Sequence, residues 1–280
     1  MMRTRGEART WALGRIAPLD ADVLLCHVLG VPREALYAHP EVAIAVEDAE
    51  RFAALVARRE AGEPVAYLRG VREFHGLDFA VDGRVLIPRP ETEALVEAAR
   101  ERVRTAGARL IADIGTGSGA IAVALAIAEP GVHVIATDVS ADALDVARAN
   151  AARHGVAARI DFRRGHLLEP MHELVDVLCA NLPYLREDAV PLKGRNEGRA
   201  RESAALRFEP RGALVAGADG LALIRPAAAD LGRVLAPRGA AYFELDPAQA
   251  PAVRVLLAPL GRTLVRKDLA GDERVVGVER

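Results

Sequence analysis

Four consecutive residues, Asn181-Leu182-Pro183-Tyr184, carry the most specific chemistry in the chain. An amide or aromatic-amine nitrogen is a poor nucleophile because its lone pair is delocalised, as the roughly 18–20 kcal/mol rotation barrier of a peptide amide indicates. A site that alkylates such a nitrogen has to aim it. The Asn181 side-chain oxygen and the Leu182 carbonyl can each accept one N–H of a planar NH2 group, leaving the remaining electron density directed at an electrophile. Pro183 stiffens the turn, and the Tyr184 ring can lie against the planar group and exclude water. No strong base is required, since the nitrogen becomes acidic as its new bond forms. The alternative for the same four residues is a turn that merely ends a strand.

A holder for the electrophile lies upstream. Asp113-Ile114-Gly115-Thr116-Gly117-Ser118-Gly119 follows an apolar run and opens a helix, so its glycines sit where a ligand can approach the backbone. The spacing is G-x-G-x-G, with Ala120 where a dinucleotide fingerprint wants its last glycine, and the loop lacks the Lys of a phosphate-binding loop. Such a loop suits the methionine and ribose portions of a sulfonium cofactor, S-adenosyl-L-methionine, whose methyl group is electrophilic. Gly115, Thr116, Gly117, Ser118 and Gly119 are the expected contacts. Asp138 closes the next strand about twenty residues after the glycines, where a carboxylate can accept both ribose hydroxyls. It also stands where a helix-cap acid would, since Ser140 follows. Asp113 is a second anchor, for the cofactor's ammonium or for the loop's own N–H groups.

These residues need a scaffold, and the periodicity supplies one. From Pro18 to about Arg69 apolar residues recur at three-to-four spacing, as in Ala21, Leu24, Leu25 and Val28, which predicts a small helical bundle. Alternating runs follow at 74–79 and 85–87, separated by Asp82-Gly83, and predict a linking β-hairpin. Beyond Pro90 the text alternates strand and helix: strands at 110–114, 132–137, 160–162 and 175–180, helices at 119–129 and 141–154. A polar, Arg-rich stretch precedes a helix at 221–235, a strand at 240–245, a helix at 248–260 and a closing hairpin of 263–268 and 274–279. Near-continuous apolar runs such as 175–180 suit a parallel sheet covered on both faces. The expected fold class is α/β, a seven-stranded class I (Rossmann-like) methyltransferase sheet preceded by an α-helical domain and a linking hairpin. The expected domains are 1–72, 73–88 for the hairpin, and 89–280.

The whole-chain numbers narrow the class. The chain has 280 residues, of which 51% are hydrophobic, enough for two domains with buried cores. Its net charge of −2 argues against a protein that holds nucleic acid chiefly through phosphates. Cys26 and Cys179 are far apart and flanked by no His cluster, so neither a disulfide framework nor a metal site is expected. No run approaches the roughly 20 apolar residues of a membrane span, and the start lacks a signal-peptide core, which predicts a cytoplasmic protein with no membrane partner.

The chain resembles the release-factor glutamine methyltransferases, the HemK or PrmC family, along nearly its whole length. The resemblance rests on Gly62-Glu63-Pro64-Val65-Ala66-Tyr67-Leu68, on Glu73-Phe74-His75-Gly76-Leu77, and on Leu86-Ile87-Pro88-Arg89-Pro90-Glu91-Thr92-Glu93. It also rests on Arg207-Phe208-Glu209-Pro210, Asp219-Gly220 and the 266–271 run. It implies methyl transfer to the side-chain N5 of the glutamine in the Gly-Gly-Gln loop of class I peptide chain release factors. It further implies that the N-terminal bundle holds the factor and that Arg89 to Glu93 border the cofactor pocket; by position alone Glu91 and Glu93 are first-turn helix acids after Pro90. Two departures stand out. Leu182 replaces the first proline of the family's Asn-Pro-Pro-Tyr, which keeps the backbone carbonyl. Gly165-His166-Leu167 stands where the family often has an acid for the adenine amino group, so that contact passes to His166 or to a backbone group at Leu167. The rival function is an adenine-N6 methyltransferase acting on RNA or DNA, which would use the same Asn-x-Pro-Tyr geometry. The charge balance and the family text outside the site argue against direct nucleic-acid binding.

Overall fold

A computed structural model describes residues 2–189 and 205–280. The chain divides into two compact units: residues up to 71 together with 205–208, and residues 72–189 together with 209–280.

The first unit is helical, with helices Arg5–Leu13, Pro18–Leu29, Glu34–Ala38, Val46–Glu60 and Val65–Arg69. The helix Arg5–Leu13 precedes the expected bundle; Thr4 caps it by accepting the Glu7 N–H. Pro18 begins the second helix and Gly30, at φ +64, ends it in the left-handed conformation that glycine tolerates. The expected stripe packs inward, where Leu24, Leu25, Phe52 and Val56 are fully buried. Asp22 lies beneath it, wholly buried, and accepts from Arg9, Arg33 and the Tyr37 hydroxyl, so its charge is paired.

The second unit opens with a hairpin of β1 (Val71–Phe74) and β2 (Leu77–Ala80). Its turn is His75-Gly76, with both residues at positive φ, and not Asp82-Gly83. Residues 85–87 form no strand. The Asp82 carboxylate caps the Arg84 N–H, and the Ile87 N–H goes to the Glu209 carboxylate, so this backbone is satisfied by side chains and not by a ladder.

The remaining strands are β3 (Leu110–Ile114), β4 (His133–Asp138), β5 (Ile160–Arg164), β6 (Val175–Ala180), β7 (Leu235–Glu244), β8 (Arg262–Lys267) and β9 (Glu273–Glu279). They form one sheet in the order β5-β4-β3-β6-β7-β9-β8, parallel through β7 and antiparallel at β9 and β8. Side chains alternate between two cores: Ile111, Val134, Val177 and Cys179 enter one, Ala112, Ile135, Leu178 and Ala180 the other. Helix Ala120–Ala128 is apolar all round and accordingly buried on nearly every side. The strand order reverses between β3 and β6, and there the crevice at the strands' C-terminal ends is open to a ligand. Among the described residues, no helix is long and apolar enough to cross a membrane.

Candidate active site

The glycine loop leaves β3 at the reversal point. Gly115 and Thr116 both donate backbone N–H groups to the Thr137 carbonyl at 2.9 Å, which ties the loop to β4. Beneath it Asp113 is fully buried, and its Oδ2 accepts the Thr116 hydroxyl at 2.6 Å and the Ala122 N–H at 3.2 Å. Burial pushes this carboxyl up to about 7, because two hydrogen bonds to the charged form compensate only part of the lost hydration. From the other side Asn150, also buried, holds the Ser118 carbonyl at 2.9 Å and both backbone groups of Ala80.

A cavity of about 220 Å³ opens above the loop. Of the residues singled out from sequence, it is lined by Gly115, Gly117, Asp138, His166, Leu167, Asn181, Leu182 and Pro183. Asp113, Thr116, Ser118, Gly119 and Tyr184 are not among the residues that line it. Gly117 has φ +55, and a Cβ there would meet nothing closer than the Gly115 carbonyl oxygen at 4.0 Å, so a side chain would project into free space beside the cavity. Gly119 has a different job. A Cβ there would come within 3.1 Å of the Ala147 Cβ, so this glycine permits close packing between helices Ala120–Ala128 and Ala141–Arg153.

Asp138 sits at the end of β4 with Oδ2 on the Gly117 N–H and Oδ1 on the Ser140 N–H, each at 2.9 Å. Each carboxylate oxygen keeps a further lone pair, enough for one hydroxyl apiece. The other lining residues are Arg84, Val85 and Leu86 from the linker, Ser140, and Pro210, Gly212 and Ala213 from the loop after 209. Residues Arg89 to Glu93 are set back from this cavity. One carboxylate pins two of its walls: Glu209, almost fully buried, accepts the Ile87 N–H at 3.0 Å and pairs with Arg89. Apolar walls, a strand-end carboxylate and a side-chain-free stretch of backbone fit a nucleoside joined to an amino-acid chain.

The Asn181 turn leaves β6 on the opposite side of the cavity from the β4 carboxylate. The Asn181 Nδ2 donates to the buried Thr92 hydroxyl oxygen at 3.0 Å, so its Oδ1 is the amide atom left for a ligand. Leu182 packs beside Gly115, where a Cβ would come within 3.1 Å of Leu182 Cδ2. Tyr184 is fastened at both ends: Gln249 Nε2 donates to its carbonyl at 3.0 Å, and its hydroxyl donates to Glu244 Oε1 at 3.3 Å. Gly220 leaves room for the Tyr184 carbonyl, which any side chain at 220 would strike. Burial and the Glu244 charge raise the Tyr184 pKa, so the phenol is a donor and not a base. Glu244 is itself buried, and loss of hydration lifts it to about 7.

Thr92, Glu209, Gln249 and Glu244 were not singled out for these contacts, although Thr92 and Glu209 lie inside the family text. The one sequence signal for Glu244 was a charged residue inside the otherwise apolar strand expected at 240–245, and the structure places it at the end of β7. Among the described residues no group of three or more His, Cys, Asp or Glu is placed to hold a metal ion.

Strand order 5-4-3-6-7-9-8, with a glycine loop after its first strand facing a strand-end asparagine across a mostly apolar cavity, defines a class I methyltransferase that uses S-adenosyl-L-methionine. Solved structures agree on the fold. The catalytic domain of hMettl16 in complex with the MAT2A 3'UTR hairpin 6 is 18% identical, with a TM-score of 0.55 over 84% of this chain and 81% of that one. A methyltransferase from Pyrococcus furiosus is 16% identical, with a TM-score of 0.50 over 81% and 96%. Residues 12–70 match the family model for the PrmC N-terminal domain, and residues 90–215 that for the methyltransferase small domain. A release factor glutamine methyltransferase of Xylella fastidiosa (strain Temecula1) is 43% identical over 94% of both chains. One of Bordetella pertussis is 45% identical over 92% of this chain and 93% of its own. The chain belongs to the release factor glutamine methyltransferase family.

Proposed function

We propose that the protein methylates the side-chain N5 of the glutamine in the Gly-Gly-Gln loop of class I peptide chain release factors. The observation that carries this reading is the Asn181 amide. Its N–H is committed to Thr92, which leaves an acceptor oxygen at the cavity beside the Leu182 carbonyl, the pair a planar carboxamide NH2 requires.

Bound S-adenosyl-L-methionine supplies a methyl group made electrophilic by its sulfonium. Asp138 accepts the ribose hydroxyls while keeping the loop closed through Gly117, and Gly115 and Gly117 let the ligand lie against bare backbone. Leu167, at φ +48, and His166 close the far side, where the adenine amino group would meet the His166 ring or a backbone carbonyl. Asp113, Thr116, Ser118 and Gly119 hold the loop's shape from below. At the reacting end, Asn181 Oδ1 and the Leu182 carbonyl accept the two amide hydrogens of the glutamine. Pro183 keeps the turn rigid, and Tyr184 backs it from Glu244. Held there, the cofactor would give its methyl group to the aimed nitrogen and be left as a neutral thioether, and the nitrogen, made acidic by the new bond, would release one of its hydrogens as a proton to solvent. Alignment of this kind can account for about 7–11 kcal/mol of a barrier without a strong base. The N-terminal helical unit is assigned to binding the body of the release factor.

The test is incubation with labelled cofactor and purified release factor, and separately with total RNA, followed by peptide mapping. Label on the Gly-Gly-Gln glutamine supports the reading. Label in RNA alone rejects it in favour of adenine methylation.

A further inference from the structure

The backbone that follows Asn181 is braced from the exit of the neighbouring strand. Gln249 lies a few residues past the end of β7, buried, and both ends of its amide are in use. Its Nε2 donates to the Tyr184 carbonyl at 3.0 Å and to the Asp219 carbonyl at 3.1 Å, while its Oε1 accepts the Asp246 N–H at 3.1 Å. Only this orientation satisfies the group, because a rotated amide would set its oxygen against two carbonyls. The fit is close. At Gly220, φ +75, any Cβ would strike both the Tyr184 carbonyl oxygen and Gln249 Nε2.

The peptide group between Tyr184 and Leu185 is thereby held along both edges. Gln249 takes its carbonyl, and its N–H donates to the Leu214 carbonyl at 2.9 Å. The Leu182 carbonyl, the second acceptor of the aiming geometry, has no comparable support, since among the described residues no backbone donor reaches it. A backbone carbonyl points where the torsions beside it direct it. The Pro183 ring fixes the first torsion between the two carbonyls and confines Leu182 to an extended conformation. The direction of the Leu182 carbonyl is therefore set by the anchored peptide group downstream. Thr92 holds the Asn181 amide in place, and Gln249 holds the partner acceptor.

We propose that Gln249 is a positioning residue for methyl transfer, which by gripping the Tyr184 carbonyl directs the Leu182 carbonyl at one hydrogen of the substrate amide. The inference rests on the reading of Asn181 and Leu182 given above. Gln249 is not among the residues that line the cavity, so its effect falls on the chemical step and not on cofactor binding. The effect is large for a residue that touches neither reactant, because a misplacement of about 1 Å at the reacting centre can cost about 100-fold in rate.

Single-turnover methylation of a purified release factor at saturating cofactor tests this, with the release-factor concentration varied so that binding and the chemical step are read separately. Gln249→Glu keeps the shape and the acceptor for Asp246 but, when ionised, loses both donors; Gln249→Met keeps the approximate shape alone. Each is expected to slow the chemical step about 10- to 100-fold, with cofactor affinity by calorimetry and half-saturation by release factor within about twofold of the unaltered protein. A residue that only stabilised the fold would lower the melting temperature and leave the chemical step of the folded protein unchanged. The unaltered rate in either folded variant overturns the proposal, and so does a slower reaction fully accounted for by weaker cofactor or release-factor binding. Gln249→Met decides the matter if the charged variant fails to fold. Asn181→Ala separates the inference from the reading beneath it. If that variant is inactive while the Gln249 variants react normally, only this inference falls; if it reacts at the unaltered rate, the reading of the aiming site falls as well.

Discussion

The Asp138 carboxylate accepts the Gly117 backbone N–H at 2.9 Å across 21 residues of chain, so the group placed for the ribose also holds the loop that borders it. Removing it should do two things at once. Asp138→Ala is expected to weaken cofactor binding by about 1.5–3 kcal/mol, the range for hydrogen bonds to a charged group, and to loosen the loop as well. Calorimetry checks the first effect and hydrogen exchange at Gly117 the second. An unchanged dissociation constant would take Asp138 away from the ribose.

Gly117 tests the loop from the opposite direction. At φ +55 a branched residue is strained, and its side chain would stand beside the cavity. Gly117→Val should abolish measurable cofactor binding while the sheet still melts cooperatively. Gly119→Val should lower the melting temperature, because Ala147 blocks its Cβ.

Glu209 joins the linker and the 210–213 loop, which form two walls of the same cavity. Glu209→Ala leaves the Ile87 N–H and Arg89 without their partner and should cost about 1.5–3 kcal/mol in cofactor affinity, in stability, or shared between them. A variant with normal affinity and a normal melting temperature would show that the pin is unnecessary.

Asp113 gives a pH signature for the cofactor-free protein. Its carboxyl is lifted from the usual 3.8 to about 7, so the folded state binds a proton that the unfolded state has already released between those values. The stability it contributes is complete below about pH 4 and is lost as pH rises through about 7. Glu244 acts in the same direction. Thermal melts should therefore show lower stability at pH 8 than at pH 6, with a shallower slope in Asp113→Asn. A slope unchanged by that substitution would count against an elevated Asp113.

What the sequence made legible divides along chain distance. The glycine loop, Asp138 and the Asn181 turn are contiguous text at strand ends, and the alternation of Ile111 to Ile114 and Val175 to Ala180 reads directly as two covered sheet faces. Glu209 meets Ile87 across 122 residues, Asn181 meets Thr92 across 89, and Tyr184 meets Glu244 across 60. No local pattern encodes such pairs. The hairpin turn was misplaced for a related reason. Asp82-Gly83 carries the stronger turn signal, but pairing needs two free backbones, and Ile87 has given its N–H to Glu209. The turn that forms instead uses His75 at φ 52 followed by Gly76.

The central claim is that Asn181 aims the nucleophile and is not merely a polar wall. Single-turnover methylation of a purified release factor by Asn181→Ala, with cofactor affinity measured alongside, tests it most directly. The account predicts a loss of about 100-fold or more in the chemical step, a fraction of the barrier that alignment can govern, with the fold and most of the cofactor affinity intact. A chemical step at the unaltered rate in that variant would contradict it.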